Sequence, residues 1–177
     1  KLSGIKGLIL TVKHQDGFCL WPSAYTDHCV SASKWKQGRG DVVAECAAAC
    51  REFGIKFGVY LSIWDRHEET YGTSAYNDFF KNQLRELLTD YGDIFCVLLD
   101  STGCGDPVRD HDMEGWVKLI RELQPNAVIA GCGCDVRWCG NEAGSVRANE
   151  WSVVPASLRE AERTAEKSQK ADDGEFS

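Results

Sequence analysis

The chain lacks any apolar run near the ~20 residues that a membrane-spanning helix needs, and its N-terminus lacks the charged, apolar, then small-residue order of a secretory signal. A membrane is therefore not among the expected partners. An excess of positive charge is missing as well: 20 Lys and Arg stand against 27 Asp and Glu, a formal net charge of −7, which argues against nucleic acid as a main partner. No G-x-G-x-x-G turn follows any apolar run, so the signature of a dinucleotide-binding doubly wound sheet is absent and no cofactor is implied. Cysteine is plentiful, yet the nine form an odd set, and Cys46, Cys50 and Cys96 fall on apolar faces where a reduced thiol packs as a small hydrophobe. No disulfide framework is expected. Cys132, Cys134 and Cys139, with His28 and Cys29 far away in sequence, do not match the usual zinc spacings, so no metal is expected either.

What is present centres on Phe95-Cys96-Val97-Leu98-Leu99-Asp100-Ser101, an apolar run that ends on a carboxylate. Asp93 before it and Ser101-Thr102-Gly103 after it bound a short strand rather than a slice of buried helix, and strand alternation puts Leu98 and Asp100 on one face. In a parallel α/β protein, an acid at the carboxyl end of a buried strand lies on the edge where ligands bind. The blander alternative is an Asp that only caps the next turn.

The flanking sequence repeats the strand–helix alternation. Leu8–Val12 reads as a strand that exits through Lys13-His14-Gln15-Asp16-Gly17-Phe18, and Asp41 caps a helix that carries Val42, Val43, Cys46, Cys50 and Phe53 and stops at Gly54. A second strand covers 56–64, with Gly58, Tyr60, Ser62 and Trp64 on one face, and Ser74 opens a helix with a 3.6-residue apolar stripe from Tyr76 to Tyr91. A third helix carries Met113, Trp116, Val117, Ile120 and Leu123, and a fourth strand runs over Ala127–Ala130. Residues 131–144 read as a loop, and Pro155 starts a charged helix to about Ala171.

Strands alternating with helices predict a parallel sheet, and polar or aromatic residues at several strand exits favour a barrel over a doubly wound fold. Eight strands need about 250 residues. Residues 1–177 are therefore expected to form a single but incomplete α/β domain, about half to two-thirds of a (β/α)8 TIM-type barrel, with the first strand and the late strands missing. Lys1 in place of Met, just before a strand, fits a missing upstream piece. Open sheet edges and a bare apolar inner face predict self-association.

The strings His14–Pro22, Tyr60–His67, Leu98-Leu99-Asp100 and Asp135–Glu142 together resemble the retaining α-L-fucosidases of glycoside hydrolase family 29, in particular the branch acting on α-1,3- and α-1,4-linked fucose. The resemblance implies hydrolysis of terminal α-L-fucose from fucosylated oligosaccharides or glycoconjugates, and a secreted or periplasmic location. It implies Asp100 as nucleophile and Glu142 as acid/base, with Glu150 the alternative or a further substrate contact. His14 matches the first of the family's fucose-binding histidine pair, Gln15 stands at the second, and Leu98 stands where the family has Trp. Trp21, Tyr60 and Trp64 are implied as aromatic faces for the sugar, and Arg137 as a nearby charge. Such a mechanism needs two carboxylates about 5–5.5 Å apart, one to attack and one to protonate the leaving oxygen. The competing reading is a remnant that binds fucose, or associates with a partner, without turnover.

Overall fold

The computed structural model describes residues 3–99, 111–131 and 135–137. β1 (Gly7–Lys13), β2 (Lys56–Leu61), β3 (Cys96–Leu99), β4 (Val128–Gly131) and β5 (Val136–Arg137) form one parallel sheet in sequential order. Between them run α1 (Val42–Phe53), α2 (Ser74–Asp90) and α3 (Met113–Leu123). A doubly wound sheet reverses its strand order at a switch point, whereas a barrel adds strands in one direction. The unbroken order is that of part of a (β/α)8 barrel.

Local sequence sets each helix. Asp41 accepts the Ala44 N–H at 2.8 Å to start α1, and Gly54, left-handed at φ +63°, ends it. Asp112 does the same for α3 through the Gly115 N–H at 2.9 Å. Tyr76, Phe80, Leu84, Leu87 and Leu88 give α2 its buried stripe, and Trp116, Leu119 and Ile120 that of α3. These helices pack on one face of the sheet, where Phe57, Val59, Leu61, Val97, Leu99 and Ile129 are at most 5% exposed. Each large aliphatic or aromatic side chain sealed there contributes about 1.5–3 kcal/mol. Cys19 belongs to the same core, and burial pushes its thiol up to about 12, as befits a packing group. Gln124 ties the end of α2 to the start of β3: its amide donates to Leu88 and Gly92 and accepts from the Ile94 N–H.

The opposite, inner face is arranged in rows across the sheet. Thr11, Tyr60, Leu98, Ala130 and Val136 pair in turn. Below them the Phe95 ring lies against Gly7 and Gly58, where an added Cβ would come within 2.9 Å and 3.0 Å of it. The room that Gly58 leaves is thus filled by a neighbouring ring. Ile9 and Val128, 40% and 39% exposed, sit on this otherwise thinly covered face.

Two expectations need correction. Residues 131–144 are not all loop, because Val136 and Arg137 pair with Ala130 and Gly131 as β5. The Asp135 carboxylate takes the Ile129 N–H at 2.7 Å and an ion pair from Arg121 of α3, which anchors a strand too short for periodicity to reveal. The second strand also stops at Leu61 rather than Trp64, where the Ser62 hydroxyl donates to the Trp64 carbonyl at 2.9 Å and bends the chain out of the sheet. The charged helix expected from Pro155 lies outside the described residues.

Candidate active site at the strand ends

At the end of β1 the register slips: Thr11 pairs with Tyr60, Lys13 pairs with Leu61, and Val12 is the extra residue. Such a bulge re-aims the side chains beyond it. Lys13 turns toward the helices, 1% exposed, and His14 emerges exposed at the rim. Its imidazole lies 5.8 Å from the half-buried Tyr60 ring, centroid to centroid, at 50°. Gln15, half-buried, follows and accepts the Arg66 N–H on its carbonyl at 2.9 Å. Trp64 is half-buried in the loop after β2. His14, Gln15, Tyr60 and Trp64 thus come from the exits of two adjacent strands at one end of the sheet. Imidazole and carboxamide groups both donate and accept, as hydroxyls do, and the two rings offer apolar faces.

Leu98 is the register neighbour of Tyr60 on the same face, and β3 ends one residue later at Leu99. Asp100, the next residue, lies outside the described residues, as do Glu142 and Glu150. Arg137 is described as backbone: it pairs with Gly131, which pairs with Leu99. The Cys132, Cys134 and Cys139 set also falls outside.

Trp21 is placed differently from the sugar face expected of it. It is 1% exposed in the main core, and its indole N–H donates to Glu86 of α2 at 2.8 Å. A ring enclosed in this way has no face to offer a sugar. Glu86 satisfies the buried indole N–H and also accepts from Ser23 Oγ and the Ala24 N–H, and so ties the loop after β1 to α2.

Two arrangements escaped the reading of the sequence. The first is a buried ion pair between Lys13 and Asp65 at 2.8 Å, with side chains 0% and 2% exposed. Burial raises the Asp65 carboxyl, but the Lys13 ammonium and the N–H groups of Glu68 and His67 more than offset this and hold it below its ordinary value. The second is a stack of His28 on His67 at 4.1 Å, with Phe18 edge-on to His28 at 5.1 Å. Lys13 could have been noticed as a charge closing an apolar strand, but its partner is 52 residues away, and no local pattern joins them.

The alpha-L-fucosidase family model matches residues 1–163. Alpha-L-fucosidase 1 of Arabidopsis thaliana is 53% identical over 156 residues, covering 86% of this chain and 31% of the relative. The crystal structure of a glycoside hydrolase 29 family member from a rumen bacterium superposes with a TM-score of 0.75 at 46% identity, covering 89% of this chain and 32% of the other. A family 29 fucosidase of Ruminococcus gnavus, solved in complex with fucose, gives a TM-score of 0.74 at 35% identity, covering 85% of this chain and 36% of that one. The chain thus spans about a third of the length of these relatives. With a family model matched over nearly all its residues and half its positions shared with a plant relative, the chain belongs to the alpha-L-fucosidases of glycoside hydrolase family 29.

Proposed function

We propose that this chain provides the fucose-binding strand ends and the nucleophile of a retaining α-L-fucosidase. The observation that carries the reading is the ring contact of His14 with Tyr60 at the exits of β1 and β2, with Gln15 and Trp64 on the loops that follow these strands and with β3, which runs into Asp100, as the neighbouring strand. The fucose-bound family 29 relative supports fucose as the sugar held there.

In this reading His14 and Gln15 exchange hydrogen bonds with sugar hydroxyls, and the Tyr60 and Trp64 rings pack on the apolar side of the pyranose. The Asp100 carboxylate attacks the anomeric carbon and forms a glycosyl ester as the bond to the aglycone oxygen breaks. Glu142, or Glu150 in its place, gives that oxygen its proton. The same residue then takes a proton from water, which attacks the anomeric carbon, releases fucose and restores Asp100. No cofactor takes part.

Release of nitrophenol from 4-nitrophenyl α-L-fucoside tests the reading, run on the wild-type chain beside Asp100→Asn. Turnover that disappears in a variant of unchanged unfolding midpoint is the expected result. Equal rates in the two proteins would refute the assignment of Asp100. Fucose binding without any turnover would favour the non-catalytic reading, for which Leu98 in the row beside Tyr60 speaks, since an aliphatic side chain gives that wall no aromatic face.

A further inference from the structure

We infer that Lys13 and Asp65 are positioning residues for the sugar-binding side chains: their buried ion pair couples the loop after β1 to the loop after β2. The inference rests on the proposed function for what the loops hold, and on geometry for the coupling itself.

Lys13 directly precedes His14 and Gln15, and Asp65 directly follows Trp64. Its Nζ donates to Asp65 Oδ2 and to Gln83 Oε1 of α2, both at 2.8 Å. Asp65 Oδ1 accepts the backbone N–H groups of His67 and Glu68, each at 3.0 Å, so the carboxylate shapes its own loop as well as meeting Lys13. Backbone bonds complete the joint. Ser62 N–H donates to Lys13 C=O at 3.0 Å, and Arg66 N–H donates to Gln15 C=O at 2.9 Å. Gly17, at φ +77°, lies against Asp65 so closely that an added Cβ would clash with the carboxylate and with His67 Cβ. His14 and Trp64 are therefore attached on either side of one rigid junction.

Energetics point the same way. At this depth the desolvation of two charges rivals their attraction, and a well-packed apolar pair is commonly as stable or more so. An ion pair does supply direction, because ammonium and carboxylate fix where each loop leaves its strand. A misplacement of about 1 Å in a binding constellation can cost about 100-fold in rate.

The test is the double variant Lys13→Met with Asp65→Asn. The Asn oxygen still accepts from His67 and Glu68, and Met fills the volume of the lysine stem. Two readouts are taken on the full chain: hydrogen exchange of the Arg66 amide, and titration with L-fucose followed by NMR. The expected result is a cooperatively folded variant whose Arg66 protection falls at least about tenfold relative to amides of β3, and whose fucose dissociation constant rises by about tenfold or more. A folded variant with Arg66 protection and fucose affinity unchanged overturns the inference. So does a uniform loss of protection across the sheet, the mark of a merely structural pair. If the double variant does not fold, Asp65→Asn alone carries both readouts. A wild-type chain that binds no fucose refutes the proposed function instead, and Arg66 exchange then decides the coupling by itself.

Discussion

Replacing Glu86 tests whether Trp21 is a core peg held from α2 or a sugar platform. One carboxylate accepts three donors, Trp21 Nε1 at 2.8 Å, Ser23 Oγ at 2.9 Å and Ala24 N at 2.7 Å. Glu86→Gln keeps the volume but leaves one oxygen and one NH2 group. If the oxygen faces Trp21 and Ser23, the NH2 opposes the Ala24 N–H; if it faces Ala24, the buried indole N–H loses its acceptor. Either way a bond to a charged acceptor, worth about 1.5–3 kcal/mol, is lost and two donors are left facing each other. The expected cost is about 2–3 kcal/mol for Glu86→Gln, and about 3–4 kcal/mol for Glu86→Ala, where the buried Trp21 N–H and Ser23 hydroxyl both lose their acceptor while the exposed Ala24 N–H turns to water. For a chain of this length, 1 kcal/mol corresponds to about 2–4 °C in the melting midpoint. Equilibrium urea unfolding followed by tryptophan fluorescence and by circular dichroism measures the loss. A cycle with Trp21→Phe isolates the indole bond, for which a coupling near 1 kcal/mol or more is expected. Glu86 variants within about 0.5 kcal/mol of wild type would refute the packing argument, and Trp21→Phe that weakens fucose binding at unchanged stability would return Trp21 to the sugar.

Asp65 makes stability acid-sensitive: its carboxyl titrates lower folded than unfolded, so its contribution is full above the unfolded carboxylate range near pH 4 and is lost as pH falls through the lower folded value. Urea midpoints measured from pH 7 to pH 3 are expected to fall more steeply for the wild type than for Lys13→Met with Asp65→Asn; parallel curves would contradict this. Gly131→Ala is expected to lower the melting midpoint by at least about 4 °C, because the residue sits at φ +94° and a Cβ there would collide with the Leu99 carbonyl oxygen; an unchanged midpoint would mean that the β3–β4 edge yields freely. Leu98→Trp is expected to tighten fucose binding several-fold in the NMR titration, since it adds an aromatic face beside Tyr60, on a row whose next member is the small Ala130. Unchanged or weaker binding by a folded variant would place the sugar elsewhere.

The alternation of strands and helices was legible because one physical signal carries each element. The α1 cap at Asp41, its stop at Gly54 and the stripe of α2 are local and periodic, and the structure keeps them. The shortening of the second strand was not legible, since Ser62 and Trp64 continue the alternation while the structure turns the chain there with a Ser62–Trp64 hydrogen bond that no periodicity announces. Nor was β5, whose two residues hold through an Asp135–Arg121 pair spanning 14 positions. At the site, His14 and Tyr60 could be brought together from strand endings alone, whereas the acceptor that satisfies the buried Trp21 indole, Glu86, lies 65 residues on, and nothing in the local pattern around Trp21 marks it as inward.

The division of labour between the two faces of the sheet explains why the site sits where it does. The helix side is sealed by large apolar residues, and the buried Lys13 at the end of β1 bonds there to Asp65 of the loop after β2 and to Gln83 of α2. The bulge at Val12 is what makes this compatible with a binding rim. Without the extra residue, Lys13 would keep strict alternation and point to the inner face, and His14 would turn toward the helices. A single inserted position thus exchanges the two: the charge goes into the packed layer, where Asp65 and Gln83 meet it, and the imidazole goes to the rim beside Tyr60. The ion pair and the exposed histidine are consequences of the same register slip. Any change that restored regular pairing between β1 and β2 would therefore remove both together.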